Sequence, residues 1–208
     1  MAVPTTTNPM RITTPLTLTG SHVRLEPIGE GHAEGLLAAA QDESIWRWML
    51  AVIHTRDDLR AYLETAYRNR DAGTQYPFVT IDQASGRVIG STRYDAIDPA
   101  NRGLEIGWTW INPAWQRTAI NTEAKYLMLR HAFEVMGCIR VQLKTDSLNE
   151  KSRAAIARLG AKEEGTLRNH MIIAATGRIR HSVLFSITAE EWPTVKASLE
   201  GKLAAGSA

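Results

Sequence analysis

Alternation and helical spacing divide the chain into a succession of elements. From His22, Val23, Leu25 and Pro27 alternate with Arg24 and Glu26, which predicts a first strand that Gly29 to Gly31 ends. Ala33, Leu36, Leu37 and Ala40 then recur at helical spacing over 32–40, as do Leu59, Tyr62, Leu63, Ala66 and Tyr67 over 57–70. Between these helices, Ile45-Trp46-Arg47-Trp48-Met49-Leu50 is rich in aromatics and fits neither period. Residues 76–82 and 87–94 read as strands joined by Gln83-Ala84-Ser85-Gly86, a turn composition that favours an antiparallel hairpin. A further strand, 103–111, would point Leu104, Ile106, Trp108 and Trp110 one way and Glu105, Gly107, Thr109 and Ile111 the other.

Residues 122–136 predict a helix with a wide apolar stripe, stopped by Gly137. Ile139, Val141 and Leu143 then alternate with Arg140, Gln142 and Lys144, a strand running to Thr145. A short helix over 149–159 follows, with Asn149 where an N-cap belongs. The pattern ends in a hairpin of 162–171 and 178–187 around Ala175-Thr176-Gly177, then a helix from Glu190 to Leu203. Strands that first form a meander and later alternate with helices indicate an α/β (α+β) fold with helices on both faces of a mixed sheet.

Composition narrows this picture without redirecting it. With 208 residues, 44% hydrophobic and 22% charged, the chain suits one globular domain at 21–187, with an arm at 1–20 and a helix and tail at 188–208. A net charge of +2 from 24 basic and 22 acidic side chains is too small and dispersed to argue for a nucleic-acid partner. No apolar run approaches the length of a membrane span, and the N-terminus lacks a signal-peptide layout, so no membrane partner is expected. Cys138 is the sole cysteine, which rules out an intrachain disulfide or a cysteine-based metal cluster and fits a reducing, cytoplasmic setting. No metal is expected, and a homodimer is left open.

The chemistry concentrates between residues 102 and 160. Asn112-Pro113-Ala114-Trp115-Gln116-Arg117-Thr118-Ala119-Ile120-Asn121 leaves a strand and feeds a helix opening at Thr122-Glu123. Such a loop presents unpaired backbone N–H groups in a positive local field, which a pyrophosphate requires. Glu105-Ile106-Gly107-Trp108, Asn112-Pro113, the 116–121 loop, Thr122-Glu123-Ala124, Asn149 with Ser152, and Leu159-Gly160-Ala161 with Glu164-Gly165 together resemble the GCN5-related N-acetyltransferase (GNAT) superfamily. Within it the chain is most similar to the RimJ/RimL-like branch of ribosomal-protein N-acetyltransferases. The resemblance covers roughly residues 21–187.

That resemblance implies a mostly antiparallel sheet of about seven strands, two of them splayed around coenzyme A. It implies acetyl-CoA as cosubstrate, its pyrophosphate on the backbone amides of Gln116, Arg117, Thr118, Ala119, Ile120, Asn121 and Thr122. Its pantetheine arm would lie between 103–111 and 139–145 and touch Asn149, with the thioester carbonyl near the amides of Trp110 or Ile111. The family loop carries glycine where this chain has Ala119, which leaves affinity dependent on a negative φ there; Asn121 is a replacement that tolerates unusual backbone angles and can cap.

Glu105 is the candidate base: it stands on an otherwise uncharged strand face beside Gly107, whose missing side chain leaves room for a substrate. The alternative is a carboxylate satisfied by an arginine or by the strand edge. Many relatives protonate the leaving thiolate with a tyrosine in the helix after Asn149; here that position is Ile156, and Ser152 is the nearby hydroxyl. Helix packing alone also explains Ser152, as N-capping alone explains Asn149. Trp46, Trp48, Trp108, Trp110 and Trp115 suit core or rim packing better than an acceptor wall, and His170 and His181 suit surface or core roles better than catalysis. Arg117 and Lys151 are either phosphate contacts or solvated side chains.

The expected function is direct transfer of an acetyl group to a primary amine, a protein N-terminus or a small molecule, in a ternary complex. Transfer from another donor such as succinyl-CoA, or non-catalytic acyl-CoA sensing, are the rival readings.

Overall fold

The computed structural model describes Met10, Ile12, residues 15–173 and residues 176–206. Its eight strands are β1 (Leu18–Thr19), β2 (Val23–Pro27), β3 (Tyr76–Asp82), β4 (Val88–Asp98), β5 (Gly103–Ile111), β6 (Arg140–Asp146), β7 (Lys162–Ile173) and β8 (Arg178–Thr188). The helices are α1 (Ala33–Ala39), α2 (Arg56–Asp71), α3 (Ala119–Arg130), α4 (Glu150–Arg158) and α5 (Trp192–Ala204). The aromatic segment of undecided geometry is a 3-10 helix, Glu43–Trp48.

All strands join one sheet in the order β1-β2-β3-β4-β5-β6-β8-β7. Every pairing is antiparallel except β5 with β6. That parallel pair requires a crossover, which α3 supplies. The sheet gains a strand over the expected seven because Leu18–Thr19 pairs with β2. Part of the expected arm is therefore core: Leu18 and Met10 are buried with the α3 layer.

Helices cover the two faces unequally. On one face, Leu127, Met128, Ile156, Val195 and Leu199 of α3, α4 and α5, with Leu159 just after α4, pack on Leu104, Ile106, Val141, Leu143, Val183 and Phe185. On the other, Leu36, Leu59, Tyr62 and Leu63 of α1 and α2 pack on Val79, Ile81 and Trp110. Alternation assigns Gln142, Lys144 and Asp146 of β6, and Arg180, Ser182 and Ser186 of β8, to this second face. Among the described residues no helix is long and apolar enough to cross a membrane.

One expectation about β5 fails at its middle. Trp108 and Thr109 together oppose Thr92 of β4, a β-bulge, with Trp108 at φ 53°. The extra residue inverts the alternation beyond it. Leu104 and Ile106 face α3, but Trp110 lies in the α1/α2 core, Trp108 packs against it, and Ile111 turns back toward α3.

Candidate active site

The parallel pairing of β5 and β6 covers three residue pairs and ends at Glu105 with Gln142. Beyond that row β5 stays paired with β4 as far as Ile111, and β6 stays paired with β8 as far as Asp146. The two strands therefore diverge, and a gap opens through the sheet between its two faces. Asn112 N–H donates to Ile89 O (2.8 Å). Antiparallel alternation then points the amide of Ile111 away from β4 and into the gap, while Trp110, in register with Ser91, turns its amide into the ladder. The Trp110 ring is core, 5.3 Å from Trp46 and with Nε1 donating to Tyr62 Oη (3.4 Å).

Glu105 stands at the apex of the gap, 6% exposed. Gln142 Nε2 donates to its Oε2 (3.0 Å) and Lys144 Nζ lies 3.1 Å from the same oxygen. The carboxylate is thus satisfied by Gln142 and Lys144, both from β6, instead of by an arginine. Gly107 does not leave a void: a Cβ there would stand 2.8 Å from Glu105 Oε1, so the carboxylate itself occupies that space. Gln142 and Lys144 are site residues that sequence reasoning left unassigned, although their place on the polar side of a strand expected beside Glu105 was the available signal.

On the α3/α4 face, the phosphate-loop candidates sit where a strand end meets two helix starts. α3 begins at Ala119, earlier than Thr122, with Thr118 as N-cap: its Oγ1 accepts from Ile120 N (3.4 Å) and donates to Trp115 O (2.8 Å). Asn121 is accordingly inside the helix and does not cap it. The positive φ in this stretch falls at Arg117 (61°), whereas Ala119 is right-handed, so replacing a glycine at 119 imposes no backbone strain. Ile120 and Thr122 bury their side chains, and the Thr122 amide makes the first intrahelical bond, back to the N-cap Thr118, so neither side chain nor amide of Thr122 is left for a ligand. Gln116 Nε2 donates to Ile111 O (2.8 Å), and Lys151 Nζ donates to Gln116 Oε1. That second bond spans the mouth of the gap from α4 to the loop after β5.

The first turn of α4 faces this mouth. Asn149 caps it, its Oδ1 accepting from Ser152 N (3.0 Å). Ser152 is half-buried, and among the described residues its hydroxyl makes no hydrogen bond; Ile156 is core. Glu123 anchors the start of α3, its carboxylate accepting from the amides of Ser21, His22 and Val23 at 2.8, 2.7 and 2.8 Å.

The opposite face carries charge. Asp146, fully buried, accepts from Arg178 Nη2 (2.5 Å) and from Leu148 N (3.0 Å), and Arg180 Nε is 4.0 Å from it. Arg180 Nε donates to Ser182 Oγ (3.1 Å), and His170 Nδ1 is 2.9 Å from the same hydroxyl. Burial, together with the charges of Lys144 and Arg180, holds the His170 imidazole below its ordinary range and so neutral at pH 7. Arg178 lies over the Trp48 ring at 5.4 Å, which brings the aromatic segment to this side. Trp115 lies away from it, beneath Arg87. Burial pushes the Cys138 thiol up to about 12, leaving it inert.

Coenzyme A fits this donor set. The first turn of α3 offers amides that a helix cannot satisfy internally, in the field that favours a diphosphate. The gap presents the Ile111 amide to an extended, amide-bearing chain lying beside β5.

Comparison with known proteins agrees. Residues 22–162 match the acetyltransferase (GNAT) domain family. YdaF of Bacillus subtilis, named for a proposed ribosomal N-acetyltransferase activity, is 33% identical over 107 residues. That match spans 51% of this chain and 57% of the curated relative. The crystal structure of a GCN5-related N-acetyltransferase from Brucella melitensis superposes with a TM-score of 0.86 at 32% identity, covering 96% of this chain and 93% of that one. Mycobacterium smegmatis RimJ, solved in complex with CoA-disulfide, shares the fold at 24% identity, with a TM-score of 0.75 and coverage of 93% and 94%. With a family match over most of the chain and the split sheet described above, this protein belongs to the GNAT acetyltransferase family.

Proposed function

We propose that the protein transfers an acetyl group from acetyl-CoA to a primary amine within a ternary complex. The observation that carries this reading is the parting of β5 and β6 at Glu105 and Gln142, with the Ile111 amide facing the gap. Bound acetyl-CoA supplies the acetyl group as a thioester reactive toward amines. Main-chain amides between Arg117 and Asn121, left without a partner inside the helix ahead of the first intrahelical bond, hold the diphosphate, Arg117 and Thr118 flank it, and Asn149 borders the pantetheine arm. The Ile111 amide meets the negative charge that develops on the acyl oxygen, and Trp110, locked in the core, fixes the strand that carries it.

Glu105, directly or through a water, takes the proton from the incoming ammonium, while Lys144 and Gln142 hold its carboxylate in place. Ser152 supplies a proton to the departing thiolate. Cofactor-binding groups lie on the α3/α4 face and Glu105 on the other, so donor and acceptor approach from opposite sides of the sheet. The names of YdaF and RimJ support a protein α-amine as acceptor, and a cytoplasmic setting agrees with ribosomal substrates. An α-amine, with a pKa near 8 against about 10.4 for lysine, also asks less of the base.

Glu105→Gln is expected to lower kcat about 100-fold while acetyl-CoA affinity stays within about 2-fold, read by thiol release and by calorimetry. Unchanged turnover removes Glu105 from the role. Tight acetyl-CoA binding with no thiol release for any amine in a broad panel would replace transfer with acyl-CoA sensing.

A further inference from the structure

The acceptor side of the gap holds more positive than negative charge. Lys144, Arg178, Arg180 and the buried Arg93 share it with three carboxylates: Glu105 has Lys144, Asp146 has Arg178, and Asp95, opposite Glu105 on β4, is held by Gln75 and Trp108. Arg93 is committed to the Tyr62 and Trp108 rings, over which its guanidinium lies at 4.4 and 4.6 Å. Arg180 is the surplus. It is 7% exposed, its Nε approaches Asp146 no nearer than 4.0 Å, and among the described residues its side chain hydrogen-bonds only to the Ser182 hydroxyl. Among the described residues its two terminal nitrogens have no hydrogen-bond partner. These nitrogens still touch solvent although the residue is largely withdrawn from it, so an incoming anion can reach them, and the planar fork matches a carboxylate.

The surroundings point the same way. His170 shares Ser182 with Arg180 and is neutral, so it neither adds charge nor cancels any. His170 also borders an open cleft of about 860 Å³ whose other lining residues are Thr166, Leu167, Arg168, Asn169 and His181, with no carboxylate among them. The wide bulge of β7, where Arg168, Asn169 and His170 together oppose His181, shapes this cleft beside the charged cluster. The sheet face here lies outside the helical cover that α1 and α2 give β3 and β4.

We propose that the acceptor is a primary amine that also bears a carboxylate, and that Arg180 is the specificity-determining residue that holds it while the amine lies toward Glu105. Ser182 lies four residues along β8 from Ser186, which pairs with Gln142 in the Glu105 row, a run of roughly 13 Å. Even with Arg180 folded back toward Glu105, the carboxylate stands several bonds from the amine, as in an acidic side chain near a peptide N-terminus or in a long ω-amino acid. Polycationic amines are excluded by the same surplus charge. This inference rests on the acetyl-transfer reading and narrows its acceptor.

The test is a set of matched acceptors assayed by thiol release: peptides differing only in Glu, Gln or Lys at the second or third residue, ω-amino acids against their amides, and spermidine and an aminoglycoside as polycations. The wild type is expected to favour the acid of each pair by about 10-fold or more in kcat/KM. Arg180→Gln should bring that ratio close to one with acetyl-CoA affinity unchanged, and Arg180→Lys should restore part of it. A preference for amides or polycations in the wild type, or an acid preference that survives in Arg180→Gln, overturns the proposal. If Arg180→Gln no longer binds acetyl-CoA, the wild-type ratio decides alone. Should no amine release thiol, the transfer reading falls, and calorimetry of the same acids and amides with CoA present judges the anion site. Acid-selective binding keeps it, and equal binding removes it.

Discussion

Glu105 owes its geometry to residues on either side of it in space: Gln142 and Lys144 bond its carboxylate, and Gly107 makes room for it two positions along its own strand. This gives glycine a role different from admitting substrate. Gly107→Ala forces only the far end of a flexible side chain to move, so stability should fall by less than about 1 kcal/mol. The displaced carboxylate should nevertheless lower kcat by about 10-fold or more, with acetyl-CoA binding unchanged. Chemical denaturation and thiol release measure the two effects separately. A loss of stability without loss of turnover would mean that the position of this carboxylate is immaterial. The sequence pointed to Glu105 because a lone acid on a strand flank is conspicuous. It did not reveal Gln142 or Lys144 as its partners, since pairing across a parallel crossover depends on register, which no local pattern encodes.

At the scale of elements, strand and helix positions were readable because both periodicities are clean, and β5 runs over the residues expected of it. What escaped was the bulge at Trp108, since an inserted residue changes which way side chains point without changing hydrophobicity. The bulge has a support on its α3 side. Lys125, spaced with Met128 and Leu129 on the buried face of α3, donates to Thr109 Oγ1 (2.7 Å) and Thr92 Oγ1 (3.2 Å). Burial pushes its pKa down to about 7 from the usual 10.5. Between those values the unfolded chain binds a proton that the folded chain lacks, so stability rises with pH across this window. Below pH 7 both states carry the charge and the cost of burying it is fully present. Lys125→Met should therefore flatten the rise in Tm between pH 7 and 10 and stabilise the protein at pH 6 by about 1 kcal/mol or more. An unchanged pH profile in thermal melts would show that Lys125 does not titrate there.

For the whole molecule, the order of elements was enough to suggest helices on both faces of a mixed sheet. The division of labour between those faces was not legible, because it depends on where two strands stop pairing. A ligand that spans the gap binds only the folded chain, so acetyl-CoA at 100 times its Kd should add about 2.7 kcal/mol to stability, read as a rise in Tm. A thermal shift that saturates with acetyl-CoA but not with acetate checks this.

The short pairing of β5 with β6 also has a mechanical meaning. Three rows of residues form the seam that joins a raft of five strands to a raft of three. So short a seam puts few backbone hydrogen bonds between the two rafts, and we expect them to open against one another more readily than either opens within itself. A molecule of acetyl-CoA laid in the split would act as a splint. Its arrival should slow amide hydrogen exchange in Leu104 to Ile111 and in Val141 to Asp146 together, including amides that it does not touch.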